Sequence, residues 1–218
     1  MLAHSFRHET HKAEPVLGDL RFRNLLSASD WANLPPDVRR RFSKRVAGGA
    51  TAVYVGSLTE GWISRAGWWL AQLLRPLGGP LPTSADINVP SIVTVTEDMR
   101  AGGQVWTRLY ARRSGFPQVI HSAKRFSGPT GLEEYIGFGI AMALRASVED
   151  GALVFRSAGF SLGFGKFRLR LPRWMEPGRL KVEHRDKGAG TFLFSLELTH
   201  PLLGPLVRQA GLYREEKA

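Results

Sequence analysis

The sequence predicts an α+β fold that is mainly antiparallel β. We expect a curved meander or barrel of about seven to nine strands, calycin-like or half-barrel, covered by N-terminal helices. Two observations lead to this expectation. Apolar residues in the first third recur at helical spacing, whereas from Asn88 they alternate with polar residues in a period of two. Tight turns separate the alternating segments, and such a meander curls to protect its edge strands.

The first third is expected to hold helices and one short strand. Proline suits the first turn of a helix, so Pro35 or Pro36 should begin one. Thr59 is a suitable N-cap for the last helix of this part. In chain order we expect a short helix over 19–26, a turn over 30–36, a helix from Pro35 or Pro36 to Arg45, a short strand over 51–58 and a longer helix over 60–74.

Beyond Asn88 the period of two predicts consecutive strands joined by turns. The predicted strands cover 92–96, 104–112, 118–126, 138–148, 152–160, 166–171, 179–185 and 191–199. No repeat and no low-complexity linker interrupts them. We therefore predict a flexible segment over 1–18 and a single β-rich domain over 19–218, helical from 19 to 87 and an antiparallel sheet from 88 to 218.

The composition excludes several kinds of site. The chain contains no cysteine, which rules out disulfides, thiolate catalysis and cysteine-based zinc sites. His4, His8 and His11 have helical spacing, but no carboxylate completes a metal site, so we expect neither metal nor cofactor. No secretory signal lies between Met1 and Arg23. We expect a cytoplasmic protein, peripheral at the inner membrane face if it binds lipid.

The net charge of +11 indicates attraction to phosphate-rich partners or reflects the arginine bias of a GC-rich genome. The densest basic stretch is 39–45 on the second predicted helix. It is either a solvated helix back that packs through Val38, Phe42 and Val46, or a contact for an anionic head group. The basic residues are otherwise dispersed and no recognition module is present, so we expect no nucleic-acid binding.

The segment from Gly61 to Leu74 is rich in tryptophan and flanked by arginine. Its broad apolar face includes Trp62 and Trp69. Amphipathic helices of this composition suit a membrane interface or a lid over a hydrophobic cavity. The alternative is a core helix that caps the sheet.

Candidate binding residues share one face of a predicted strand. Trp106, Arg108 and Tyr110 alternate along 104–112, and His121 or Ser122 should face them from the next strand. An arginine beside aromatic residues inside a barrel can bind a carboxylate or phosphate through its planar fork. Glu134 is a further site candidate and could pair with Arg108 in a structural ion pair instead.

Four short segments of the chain carry a family resemblance: Leu34-Pro35-Pro36-Asp37-Val38-Arg39-Arg40, Gly103-Gln104-Val105-Trp106-Thr107-Arg108, Leu171-Pro172-Arg173-Trp174 and the stretch His200 to Val207. The resemblance is to a bacterial family of unknown function, family 4166. It implies a domain that stands alone or follows a saccharopine-dehydrogenase-like Rossmann domain, and a Rossmann-type oxidoreductase as a candidate partner. No strand followed by Gly-x-Gly-x-x-Gly opens this chain. Trp106 and Arg108 are the positions carried over as characteristic of the family.

The sequence favours a binding domain for an apolar or amphipathic small molecule, held in the concave face of the sheet. Arg108 would anchor an acidic head group. One alternative is a peripheral membrane protein that uses the tryptophan-rich helix and the arginine cluster on an anionic surface. Another is an isomerase- or hydrolase-type enzyme in the same cavity, with His121, Glu134, His184 and His200 as its available acids and bases. Their spacing marks no dyad or triad, so no catalytic residue is assigned.

Overall fold

The computed structural model describes residues 18–44, 46–164 and 167–216. The expected flexible segment and its three histidines lie almost wholly outside these residues. The described chain contains three α-helices, α1 (Ala28–Asn33), α2 (Pro36–Phe42) and α3 (Arg65–Leu73). Its strands are β1 (Ala52–Ile63), β2 (Pro90–Asp98), β3 (Gly103–Tyr110), β4 (Gln118–Arg125), β5 (Glu133–Gly137), β6 (Ile140–Glu149), β7 (Ala152–Phe164), β8 (Phe167–Arg170), β9 (Arg179–Gly188), β10 (Thr191–His200) and β11 (Gly204–Glu216).

Ten of these strands close into an antiparallel barrel. The order around the ring is β6-β5-β4-β3-β2-β1-β11-β10-β9-β7, and pairing of β6 with β7 completes it. The short strand β8 pairs with β7 outside the ring. The mainly antiparallel fold is confirmed, but the expected strand number was too low and the barrel is closed rather than half-open. Closure removes the exposed sheet edges that an open meander would leave.

Two strands of the ring were not predicted. The strand β5 is only five residues long and gives little alternation to detect. The strand β11 contains Gly204, Pro205 and Gly211, residues that ordinarily interrupt strands. Pro205 lies at the beginning of β11, where a missing N–H is tolerated. Glycine is needed at position 211 because a Cβ there would be 2.6 Å from the Tyr213 ring. The unpredicted β11 joins β1 to β10 and so closes the barrel.

The helical part differs from its prediction at three places. Residues 19–26 contain only a short 3-10 turn, Arg23–Leu25. The expected turn at 30–36 is largely helix α1, because the Ser27 hydroxyl accepts a hydrogen bond from the Asp30 N–H at 3.0 Å and caps it. Helix α2 begins at Pro36 as predicted and ends at Phe42, before Arg45.

The strand β1 is longer than predicted and the following helix starts later. Pairing of β1 with β11 extends the strand to Ile63, through residues that by themselves suit a helix. Ser64, not Thr59, is the N-cap of α3, and its hydroxyl accepts from the Gly67 N–H at 3.0 Å. The expected helical part therefore contributes a full strand of the barrel.

The barrel has two ends, which we name by the helices beside them. Helices α1 and α2 precede β1 and cover the α2 end, where Trp31, Leu34, Val38 and Phe42 are buried in the main core. Helix α3 and the chain to β2 lie at the α3 end, where Ala71 and Leu81 form a smaller core with β10 and β11. Each end therefore carries its own covering segment.

Helix α3 approaches β11 so closely that no side chain fits between them. A Cβ at Gly67 would lie 2.1 Å from the Leu206 carbonyl oxygen. We expect Gly67→Ala to lower the free energy of unfolding by about 1–3 kcal/mol, since an added methyl group forces the helix off the strand. Gly18→Ala is the matched control, because a Cβ there has nothing within 4 Å. Urea unfolding of both variants tests this, and equal stability would contradict it.

Candidate ligand-binding cavity

Two chambers occupy the barrel interior, and both are walled in part by Arg108 and Phe194. The first, here called the apolar chamber, lies toward the α3 end and is lined by residues such as Leu81, Ile120 and Phe160. The second, here called the basic chamber, lies toward the α2 end and is lined by Arg41 and His184 among others. The inward-facing residues of β3 and β10 thus separate the interior into two spaces of different chemistry.

The apolar chamber has mostly hydrocarbon walls and a volume of about 80 Å³. The chamber is partly open to solvent, and the side lined by Leu74, Pro80, Leu81 and Pro177 from the α3-end segments is here called its mouth. A buried water needs roughly 10–15 Å³ of such space, so the chamber holds a few waters or a narrow molecule. A drug-sized ligand needs several hundred Å³ and would require the mouth to widen. The walls are Ile120, Ile136, Met142, Phe160, Leu180, Val182, Phe194, Leu196 and Leu198.

Four buried polar side chains meet where the apolar chamber ends, and we call them the charge cluster. They are Arg108, Ser122, Lys124 and Glu134. Arg108 Nη2 donates to Ser122 Oγ and to Glu134 Oε1, each at 3.3 Å. Ser122 Oγ donates to Glu134 Oε1 at 2.5 Å, and Lys124 Nζ donates to Glu134 Oε2 at 2.9 Å. One carboxylate therefore serves two cations and a hydroxyl.

The charge cluster keeps Glu134 ionised. Burial by itself would raise the pKa of Glu134, but the Lys124 and Arg108 charges and the hydrogen bonds from Ser122 and Lys124 outweigh it and lower the pKa to about 2. Burial lowers the pKa of Lys124, while the Glu134 carboxylate opposes that shift. With Lys124 protonated, the cluster carries two positive charges against one negative. The barrel interior then holds an excess positive charge at the floor of an apolar space.

Arg108 also has unused hydrogen-bonding capacity. Its Nε is buried and has no hydrogen-bond partner. The residue is only 7% exposed, so bulk water does not solvate it freely. Buried guanidinium donors are normally satisfied, so a donor without a protein partner is available to a water or to a ligand. Arg108 is therefore charged, enclosed and able to donate one further hydrogen bond.

The basic chamber is smaller, about 30 Å³, and holds a second buried arginine. Arg41 Nε donates to His184 Nε2 at 3.1 Å, and Arg41 Nη2 donates to Asp186 Oδ1 at 2.8 Å. The guanidinium carbon of Arg41 lies 4.6 Å from the centre of the Phe192 ring. Arg41 Nη1 and His184 Nδ1 have no partner. This chamber has room for about two waters, so it does not accommodate a larger ligand.

His184 is held neutral. Burial, with the nearby Arg41 charge, keeps the pKa of His184 well below 6.5. The folded protein therefore resists binding a proton that the unfolded chain binds below pH 6.5. We expect the free energy of unfolding to fall as the pH drops below that value, by up to about 1.4 kcal/mol per pH unit from this residue.

The variant His184→Gln tests this, because glutamine can still accept from Arg41 but does not titrate. Its stability should depend less on pH between about pH 7 and about pH 5 than that of the wild type. His121→Gln removes an exposed histidine instead and is the control. Urea unfolding at the two pH values measures the difference, and a slope in His184→Gln equal to the wild-type slope would contradict the prediction.

The structure brings some predicted site residues together and separates others. Trp106 lines the basic chamber, Glu134 the apolar chamber and Arg108 both. Tyr110 shares their inward face but packs in a separate apolar cluster with Leu58, Val89 and Ile120. The ion pair between Arg108 and Glu134, which was the structural alternative to a head-group contact, is present. Lys124 and Arg41 were not predicted as site residues.

His121 does not face the chambers. The register of β3 and β4 pairs Thr107 with His121 and Trp106 with Ser122. Successive side chains on a strand point to opposite faces, so His121 is exposed and Ser122 is buried. The same alternation places Lys124 inside, and it could have revealed that residue once the register was known.

The tryptophan-rich helix covers the barrel with only part of the expected face, since Ala66 and Leu70 pack on the smaller core but the tryptophans do not. Gly67 and Ala71 are its buried positions, whereas Trp69 is 68% exposed. Trp62 is at the end of β1, 44% exposed, beside the Arg208 guanidinium. Neither tryptophan lines a chamber. Only Leu74 and the residues after it reach the mouth, so the lid is the end of the helix and the following loop.

Three of the described basic residues in the stretch on α2, Arg40, Arg41 and Lys44, form salt bridges. Arg41 is buried, while Val38, Phe42 and Val46 form the expected apolar face. Arg40 Nη1 contacts Glu215 Oε2 at 3.0 Å, and Lys44 pairs with the same carboxylate. The interpretation as a wholly solvated helix back is therefore wrong for Arg41, while Arg39 is in no salt bridge among the described residues.

A comparison with known protein families assigns the chain to one of them. The model of domain-of-unknown-function family DUF4166 matches residues 34–212. The chain belongs to the DUF4166 family. The match runs from the residues just before α2 into β11, so the DUF4166 domain comprises nearly all of the barrel. No curated protein and no solved structure is detectably similar to the chain.

Two further observations concern other kinds of site in this DUF4166 domain. The described residues contain no group of three or more histidine and acidic side chains placed to hold a metal ion. Among the same residues, every helix is too short or too polar to cross a bilayer.

Proposed function

We propose that this domain binds an amphipathic small molecule with an acidic head group, its apolar part lying in the apolar chamber and its acid on Arg108. One observation carries the proposal. Arg108 is buried at the floor of a hydrocarbon-walled chamber, and its Nε has no acceptor. A carboxylate or phosphate oxygen is the acceptor that a guanidinium binds most strongly.

The balance of charge supports an anion rather than a neutral polar group. With Lys124 protonated, Glu134 offsets only one of the two cations, Arg108 and Lys124. An uncompensated buried charge costs several kcal/mol, and that cost is relieved when an anion enters. An acidic head group therefore gains binding free energy that a neutral head group cannot obtain.

The walls favour an apolar tail. From the charge cluster, the chamber continues between Ile120, Phe160 and Leu198 to a mouth at Leu81 and Pro177. These side chains offer dispersion contacts and no hydrogen bonds. A narrow aliphatic chain suits the present width better than a fused ring system.

The enzyme alternative receives less support from the same residues. Glu134 is the titratable acid in the apolar chamber, and it is already hydrogen-bonded to Ser122 and Lys124. A pKa of about 2 makes it a weak base near neutral pH. Binding without reaction is the function that the arrangement favours.

Native mass spectrometry of the purified protein, followed by denaturing extraction, is the first test. A stoichiometric acidic amphiphile released on denaturation would support the proposal. Calorimetric titration of delipidated protein with octanoate, with octanol as the neutral control, tests the head group directly. Octanoate should bind and octanol should bind at least about tenfold more weakly, since only the acid reaches Arg108 as an anion. Equal affinities, or no binding of either, would refute the proposal.

A further inference from the structure

Large apolar side chains are exposed around the α3 end of the barrel. Among the segments that carry them are α3, the β5–β6 turn, the β7–β8 hairpin, the short 3-10 turn before β9 and the β10–β11 turn. Six of them, here called the apolar rim, are between 64% and 89% exposed: Trp69, Leu73, Phe138, Phe164, Trp174 and Leu202. Five separate segments thus present apolar side chains at the same end.

The α2 end differs. Its covering segments and turns leave two large apolar side chains exposed among the described residues, Leu20 and Met99. Isolated exposed apolar residues are ordinary on protein surfaces. A concentration of them at one end marks an interaction site.

Free positive charge surrounds the apolar rim. Six exposed arginines lie in or beside the segments of this end: Arg65, Arg75, Arg112, Arg113, Arg173 and Arg179. None of the six takes part in a salt bridge among the described residues. The acidic residues of the described connecting segments here are Asp86 and Glu176. Six arginines against two acidic residues leave an excess of four positive charges around the rim, out of the net charge of +11.

We propose that the α3 end docks on an anionic lipid bilayer, with the apolar rim in the interface and the arginines on lipid phosphates. Tryptophan and phenylalanine side chains favour the boundary between head groups and acyl chains. Arginines near an anionic leaflet add attraction over about a Debye length. A protein partner would need complementary acidic groups among these apolar side chains, whereas an anionic bilayer supplies both components uniformly.

The position of the apolar chamber agrees with this docking face. The mouth residues Leu74 and Pro177 belong to the same two segments as Leu73 and Trp174 of the rim. Docking would hold the mouth against lipid, so that an amphipathic molecule could pass between bilayer and chamber without crossing water. The docking itself does not depend on the chamber being occupied. The arginine cluster of α2 lies at the other end and takes no part.

Vesicle flotation with the full chain tests the proposal. The probes are vesicles of phosphatidylcholine alone and of phosphatidylcholine mixed equally with phosphatidylglycerol. The protein should float with the mixed vesicles, float less with the neutral ones, and dissociate as salt is added. Arg112→Glu with Arg113→Glu should weaken binding at least about 25-fold, from roughly fivefold per arginine removed. Trp69→Glu with Trp174→Glu should cause a loss of similar size.

The control is Met99→Glu with Arg100→Glu, which replaces one apolar side chain and one arginine by glutamate at the α2 end and should bind vesicles as the wild type does. Thermal melting shows whether each variant is folded. Equal losses in rim and control variants would overturn the proposal, and so would wild-type protein that ignores anionic vesicles. Self-association that the rim variants abolish, without any vesicle binding, would assign the rim to a second copy instead. Octanoate titration of the rim variants separates the two proposals, because loss of docking should leave that affinity unchanged.

Discussion

Glu134→Gln should lower the free energy of unfolding by about 3–5 kcal/mol. The substitution removes the carboxylate that accepts from Lys124 at 2.9 Å and from Arg108 at 3.3 Å. Two cations would then lie in the barrel with no counter-charge, and both are less than a tenth exposed. Glutamine has nearly the same shape, so the loss reports charge and not packing. Urea unfolding at neutral pH measures it.

Glu197→Gln on β10 is the matched control. Glu197 pairs with Arg208 at 3.4 Å, but its side chain is 43% exposed. An exposed pair contributes at most about 1 kcal/mol, because water solvates both partners. A loss in Glu134→Gln no larger than the loss in Glu197→Gln would mean that water reaches the charge cluster.

The Glu134 carboxylate should also affect how the free energy of unfolding depends on pH in acid. The pKa of Glu134 is lowered from 4.5 to about 2 in the folded protein. A lowered carboxyl pKa stabilises the fold above the unfolded value, and that contribution is lost as the pH falls from 4.5 to about 2. Glu134→Gln should lose less stability than the wild type over this interval. If the wild type and Glu134→Gln lost equal stability over this interval, the lowered pKa of Glu134 would be contradicted.

Arg108→Met should weaken octanoate binding at least about 30-fold while changing stability less than Glu134→Gln does. The variant removes the guanidinium that the proposed head group contacts. It leaves Lys124 and Glu134 as a pair of equal and opposite charges, so no uncompensated cation remains. Calorimetric titration measures the affinity, and urea unfolding measures the stability.

Arg156→Met on β7 controls for loss of an arginine as such, since Arg156 pairs with Glu149 on the outer surface and its side chain is 51% exposed. Its octanoate affinity should equal that of the wild type. Octanol binding should be unchanged in Arg108→Met, because octanol has no anion to lose. If Arg108→Met bound octanoate as the wild type does, the head group would lie elsewhere.

Some features of the fold and the cavity could be predicted from the sequence, because they depend on neighbouring residues. The antiparallel character, the inward face of Trp106, Arg108 and Tyr110, and the start of α2 at Pro36 are local properties. Alternation along one strand reports which side chains share a face. Proline at the first helical turn reports where a helix can begin. These predictions were confirmed.

Other features depended on residues far apart in the chain. Pairing with β11 holds β1 extended through Ile63, where local spacing favoured a helix. The choice between His121 and Ser122 required the register of β4 against β3. Arg41 reaches His184 and Asp186 only because α2 packs over the end of the barrel.

The sequence by itself therefore determined the class of fold, the faces of individual strands and the presence of arginine beside aromatic residues. The tertiary structure alone decided that the barrel closes, that Lys124 joins Arg108 and Glu134, and that the tryptophans stay outside. The physical reason is that face and cap depend on neighbouring residues, whereas closure, burial and ion pairing depend on register between strands that the chain brings together only on folding.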